Sequence, residues 1–191
     1  MEMVSVSKMR RSVTRFLGCR TYAELALELF FNISETPDLK HPFFEEGKGN
    51  KELIVLIGGN KGLCGSYHLN LGKSLAFYLK KYSPSATAVT VGKYAEKIAT
   101  RFGLPIIASF ITLTDRSGPD ETKILSNLVV KEFLSGEYKK VIIVYTKFLK
   151  STSYRPTVRI VLPISEKSFE NIIEELKNKA TDLQKRAGNI D

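Results

Sequence analysis

The chain has 191 residues, 43% hydrophobic and 26% charged, the proportions of an ordinary protein with one main core and room for an appended element. It contains no apolar run long enough to span a bilayer, and its start, "MEMVSVSKMRRSVTRF", lacks the apolar core and cleavage site of a secretory signal, so an intracellular protein with at most a peripheral membrane role is expected. Two cysteines, Cys19 and Cys64, and two histidines, His41 and His68, exclude a disulfide framework and offer no zinc-site spacing, while a formal charge of +9 makes nucleic acid the first partner class to test.

Residues Met3 to Ile33 read as one long helix, because Val6, Met9, Val13, Phe16, Ala23, Leu27 and Phe30 follow alternating three- and four-residue steps with only Arg20 breaking the series. That is the seam of a coiled coil. "NISETPDLKHPFFEEGKGNK", Asn32 to Lys51, reads as a linker. The period then changes to short β-branched runs: "ELIVLIG" (Glu52 to Gly58), "TAVTVG" (Thr87 to Gly92), "IIASFITL" (Ile106 to Leu113) and "KVIIVYTKF" (Lys140 to Phe148). Helical stretches separate them, at Ser66 to Lys81, Lys93 to Phe102 and Pro119 to Leu134, the last opening on a favourable Pro. Such alternation predicts an α/β fold with right-handed crossovers and a mostly parallel sheet covered on both faces. The last run and "RPTVRIVLPI" are joined by a short polar link around Lys150 to Ser153, which predicts an antiparallel edge hairpin. At the far end Phe169, Ile173, Leu176, Ala180 and Leu183 repeat the helical steps, with acids early and Lys185 and Arg186 late, as the helix dipole favours. The expected organisation is a helix over 1–33, a linker over 34–51, an α/β domain over 52–164 and a second helix over 165–191. The two helices can pair with each other, or each can pack on the domain.

The stretch "LIVLIGGNKGLCGSYHLNLGKS", Leu53 to Ser74, raises the question of a phosphate loop, since a strand, a glycine-rich turn and a helix N-terminus together favour an anion. The pattern fails. Gly72-Lys73-Ser74 requires a glycine where Tyr67 stands, and Lys73 falls inside the expected helix instead of opening it. Gly58, Gly59 and Gly62 do not give the dinucleotide spacing either, and no carboxylate stands where a ribose would be held. Ser66 and His68 form no nucleophile signature. Cys64 reads as a small side chain filling tight space at the turn in preference to a reactive thiol, and Asp115, Asp120 and Glu121 sit at a helix start where carboxylates are favoured without a metal. No catalytic, cofactor or metal site is expected.

The charge is uneven: Lys8, Arg10, Arg11, Arg15 and Arg20 crowd the first twenty residues against Glu2. With no Trp and no aromatic pair in an RNA-binding strand pattern, a basic tip meeting an acidic protein surface is favoured over nucleic acid.

Five pieces in order, "SKMRRS" (Ser7 to Ser12), "CRTYAEL" (Cys19 to Leu25), "LKHPFFE" (Leu39 to Glu45), "NKGLCGSYHLNL" (Asn60 to Leu71) and "VYTKFLKSTSYRPTVRIVLPI" (Val144 to Ile164), give a sequence that resembles the gamma subunits of F-type rotary ATP synthases. The resemblance implies a central stalk: a Rossmann-like domain flanked by helices that form an antiparallel coiled coil, the axle inside a ring of three alpha and three beta subunits. It further implies that the subunit holds no nucleotide and works by turning within the ring to couple proton flow to ATP synthesis or hydrolysis. The α/β domain would sit with the epsilon subunit on a rotor ring of c subunits, peripheral to the cytoplasmic face of a bacterial plasma membrane or the equivalent organelle face. By the same resemblance Ser7, Lys8, Met9, Arg10 and Arg11 match the basic axle segment near an acidic lever loop of the beta subunit, and Lys61, Gly62, Leu63, Cys64 and Gly65 match a stalk loop facing the same part of the ring. Ser66 stands where the family commonly has a second glycine, so the backbone after Cys64 is expected to be less tightly turned; His68 stands for a common asparagine, and Asn60 for a frequent acid. The chain begins just before "SKMRRS" and stops at Asp191, which implies shortened axle helices. The alternative is a stand-alone gamma-like protein binding a small ligand at the sheet's carboxyl edge.

Overall fold

The computed structural model describes residues 41–82, 85–113, 117–150 and 153–165, together with scattered positions between Ser7 and Asn32 that are all helical. The chain divides into two units, His41–Ile164 and the flanking segments Met1–Lys40 and Ser165–Asp191. In the flanking unit Ser7 and Arg11 are helical and exposed. Lys8, Met9 and Arg10, and the seam residues Val6, Val13, Phe16, Phe169, Ile173, Leu176, Ala180 and Leu183, lie outside the described residues, and so does the expected coiled coil.

The His41–Ile164 unit is a five-stranded sheet with helices on both faces. Strands β1 (Lys51–Ile57), β2 (Ala86–Val91), β3 (Ile106–Phe110), β4 (Tyr138–Lys150) and β5 (Ser153–Leu162) lie in the order β3-β2-β1-β4-β5. All pairings are parallel except β4 with β5. Three helices make the crossovers: α1 (Tyr67–Tyr82), α2 (Lys93–Arg101) and α3 (Pro119–Leu134). The mostly parallel sheet and the edge hairpin match the α/β reading of the sequence.

Central β1 shows why. Leu53, Ile54, Val55 and Leu56 are all buried, the continuous apolar run of a strand covered on two faces. Ile54 and Leu56 join Ile142 and Val144 of β4 under α1 and α2, which contribute Leu71, Leu75, Ala95 and Ala99 at helical spacing. Leu53 and Val55 join Val141 and Val89 under α3, which contributes Val129 and Phe133. The start of α3 is set by Pro119 and by the Glu121 carboxylate, which accepts the Gly118 N–H at 2.7 Å.

Two departures from the sequence reading bear on function. Strand β3 ends at Phe110, short of the expected Leu113, because the carbonyls of Ile111 and Leu113 leave the ladder to accept from the Asn60 side chain. Residues 41–50, read as linker, lie on the sheet: the Gly47 N–H donates to the Lys139 carbonyl, Phe43 packs in the α3 core, and the Ile164 N–H donates to the Phe43 carbonyl at 2.6 Å.

Candidate functional site

The glycine-rich loop runs from the carboxyl end of β1 to the start of α1. Its first part is fastened to the neighbouring β2–α2 turn. The Gly58 N–H donates to Val91 O, and the Tyr94 N–H to Gly59 O at 3.1 Å. Gly92, at φ 91, opens α2 without a side chain to cap it, and a Cβ there would stand 2.6 Å from the Gly58 carbonyl oxygen. Asn60 supplies the missing cap from a distance of sequence: its Oδ1 accepts the Lys93 N–H at 2.8 Å while its Nδ2 donates to Ile111 O and Leu113 O. One side chain thus ties three segments.

The second part wraps an aromatic stack. His68, in the first turn of α1, lies flat on Tyr94 of α2, centroids 3.9 Å apart and planes 3° from parallel, with Tyr67 edge-on at 5.0 Å. His68 Nε2 lies 3.0 Å from the Lys61 carbonyl, so Nε2 carries the proton and donates; Nδ1 is buried without a partner. Gly62 fits beneath the Tyr94 hydroxyl, which any Cβ there would strike. Gly59 and Gly62 thus serve close packing, against the His68 ring and the Tyr94 hydroxyl.

Beyond this the loop projects. Lys61, Gly62, Leu63, Cys64 and Gly65 are all exposed, Leu63 completely so. Leu63 and Gly65 both adopt left-handed conformations, at φ 56 and φ 58, which for a leucine costs about 1 kcal/mol. The turn therefore closes without the second glycine: the Tyr67 N–H reaches Cys64 O at 3.3 Å, and Ser66 Oγ accepts from Asn70 Nδ2 and faces the Tyr154 hydroxyl at 3.3 Å. Cys64 is exposed, not buried as filler, since the turn aims its side chain outward. Tyr154 comes from the ribbon that β4 and β5 form beyond the last β1 pairing at Val144, and its ring lies 5.6 Å from that of Tyr67. The glycine loop and the hairpin, far apart in the chain, are thereby joined.

Sequence reasoning missed the parts played by Asn60, Tyr94 and Tyr154. Asn60 stands out in the sequence only as a departure from the family pattern, and Tyr94 and Tyr154 have no local signal because topology alone brings them to the loop. Of the basic axle segment the described Ser7 and Arg11 belong to the other unit.

At the opposite, amino end of the sheet lies a cleft of about 520 Å³ lined by Glu52, Tyr78, Tyr82, Ser85, Lys139 and Lys140. Its charges are matched internally. Tyr78 donates to Glu52 at 2.9 Å, and burial above all pushes its phenol pKa up. Glu46 pairs with Lys140 at 3.0 Å and Lys139 at 3.1 Å, which hold its carboxyl below the usual range. Among the described residues no cluster of three metal-ligating side chains occurs.

The family model for ATP synthase matches residues 1–189. The ATP synthase gamma chain of Laribacter hongkongensis is 32% identical over 178 residues, covering 90% of this chain and 61% of that one. The chain belongs to the ATP synthase gamma family. The gamma chain of Glaesserella parasuis is 29% identical over 185 residues, 95% of this chain and 63% of the relative. The chain thus spans about six-tenths of the length of the curated relatives it matches. Its fold is similar to a chain of the Tetrahymena thermophila mitochondrial ATP synthase central stalk and c-ring structure, with a TM-score of 0.64 at 18% identity, covering 92% of this chain and 85% of that one.

Proposed function

We propose that this gamma-family chain is a non-catalytic central-stalk subunit of an F-type ATP synthase, coupling transmembrane proton flow to ATP synthesis or hydrolysis by rotation within a ring of alpha and beta subunits. The observation that carries this reading is the family match over nearly the whole chain. The site geometry supports it, because the glycine loop is closed by His68 and Tyr94 and presents an exposed tip, which is the form of a contact surface. In this reading Lys61 to Gly65 touch the beta subunit, and Ser7, Lys8, Met9, Arg10 and Arg11 give it a second, basic contact. The α/β domain meets the epsilon subunit and the rotor ring of c subunits, peripheral to the cytoplasmic face of a bacterial membrane or its organelle equivalent. No described helix is long and apolar enough to cross a membrane.

Co-expression with alpha and beta subunits from the same genome tests this. A purified complex of three alpha, three beta and one copy of this chain, read by native mass, is the expected product. Free chain beside an intact ring would count against the stalk role. Reversing Lys8, Arg10 and Arg11 to glutamate is expected to weaken capture while the domain stays folded, and undiminished capture would remove the second contact.

A further inference from the structure

We propose that Leu63 is the anchor by which the glycine loop seats in its partner, and that the His68–Tyr94 stack is the device that holds the anchor out; this rests on the stalk reading above. Exposed leucines are ordinary on protein surfaces. A completely exposed leucine at φ 56 is not, because a branched side chain is strained there and its exposure returns no contact with the described residues. Strained conformations persist where the surroundings over-determine the backbone, and they concentrate at recognition sites.

Here the backbone is fixed on both sides of Leu63. Before it, His68 Nε2 holds the Lys61 carbonyl and Gly62 is lodged under the Tyr94 hydroxyl. After it, Gly65 turns left-handed and the Tyr67 N–H closes on Cys64 O. The Leu63 backbone, and with it the direction of the Cα–Cβ bond, is set before any partner arrives, so little backbone entropy is left to lose on binding. An apolar side chain carried on a fastened backbone fits an apolar pocket. Lys61, two residues away, is exposed and has no carboxylate partner among the described residues, which gives that pocket an acidic rim. The surface that receives the loop is therefore an apolar pocket bordered by carboxylates on the ring of catalytic subunits.

The test titrates the full chain and its variants onto a purified ring of alpha and beta subunits, reading Kd and thermal midpoint together. Leu63→Ala keeps the strained backbone and removes the side chain; capture should weaken about tenfold or more at an unchanged midpoint. Leu63→Gly should weaken capture at least as much and raise the midpoint by about two degrees, since the strain is relieved. Leu63→Met should stay within about threefold of the parent. His68→Ala should also weaken capture and add little further when combined with Leu63→Ala; additive losses would overturn the positioning role. A captured parent with Leu63→Ala bound as tightly overturns the anchor and leaves the stalk reading standing. A parent that is not captured overturns both.

Discussion

The two ends of the sheet are closed by the same device and put to opposite uses. At the amino end, Gly47 and Gly49 lie so close to the backbone of Glu137 and Tyr138 that a Cβ on either would strike a carbonyl oxygen, and Glu46 reaches Lys139 and Lys140. That segment is laid down along its length, with Phe43 and Ile164 clasped beside it. At the carboxyl end, Gly58 and Gly92 also press against neighbouring backbone, somewhat less closely, but Lys61 to Gly65 are left standing in solvent. At these four positions glycine marks backbone against backbone. A strap and a projecting loop differ in the residues next to the close contact: paired charges in one case, a fastened tip without a charge partner among the described residues in the other.

This contrast fails if the close approaches are not obligatory. Gly92→Ala meets both the Gly58 carbonyl and an unfavourable φ of 91, and should cost about 2–4 kcal/mol by denaturant unfolding. Gly49→Ala at the other end should cost as much, since its obstacle is also a backbone carbonyl that cannot swing aside. A tolerated alanine at either position would mean that the segment is free to shift.

Next in size is Asn60→Ala, which removes the cap of the Lys93 N–H and the donor to two carbonyls and should cost about 0.5–2 kcal/mol. Asn60→Asp separates the two halves of that role. A carboxylate would cap α2 well, at the positive end of its dipole, but it cannot donate to Ile111 O and Leu113 O and would repel them. Partial recovery is therefore expected, and full recovery would show that the tie to the end of β3 contributes nothing.

These residues also mark how much was legible in the sequence. Periodicity located β1, all three helices and the hairpin, because burial on two faces writes an apolar run and burial on one writes a helical stripe. It also showed Gly72-Lys73-Ser74 to be inside a helix, where α1 holds it. What stayed hidden was every contact made by topology: Tyr94 is an unremarkable tyrosine until the β2–α2 turn carries it to His68, and Tyr154 until the ribbon carries it to Ser66. Gly47 and Gly49 beside Phe43-Phe44 were a legible hint that the presumed linker lies close on other backbone.

Gly72 tests the role of glycine from the other side, being buried with no close contact to protect. A Cβ there would lie 3.8 Å from Ile98 and 3.9 Å from Phe102, ordinary packing distances between α1 and α2. Alanine also favours the helix interior, so Gly72→Ala should stabilise by about 0.5–1 kcal/mol. A loss of stability would mean that α1 and α2 must approach more closely than these distances require.

The smallest effect belongs to the exposed pairs of the strap. Glu46 is held below its ordinary pKa by Lys140 first and Lys139 second, so its contribution is present at neutral pH and lost as the pH falls through the ordinary carboxylate value of about 4.3 toward the folded one. Both partners and the carboxylate reach solvent, where salt and side-chain entropy oppose the attraction. Glu46→Gln should therefore shift the thermal midpoint by no more than about one degree, and the shift should vanish in high salt. If the midpoint fell by several degrees and salt left that unchanged, the charges would be holding the strap and the close-packed glycines would be secondary, which reverses the assignment at that end of the sheet.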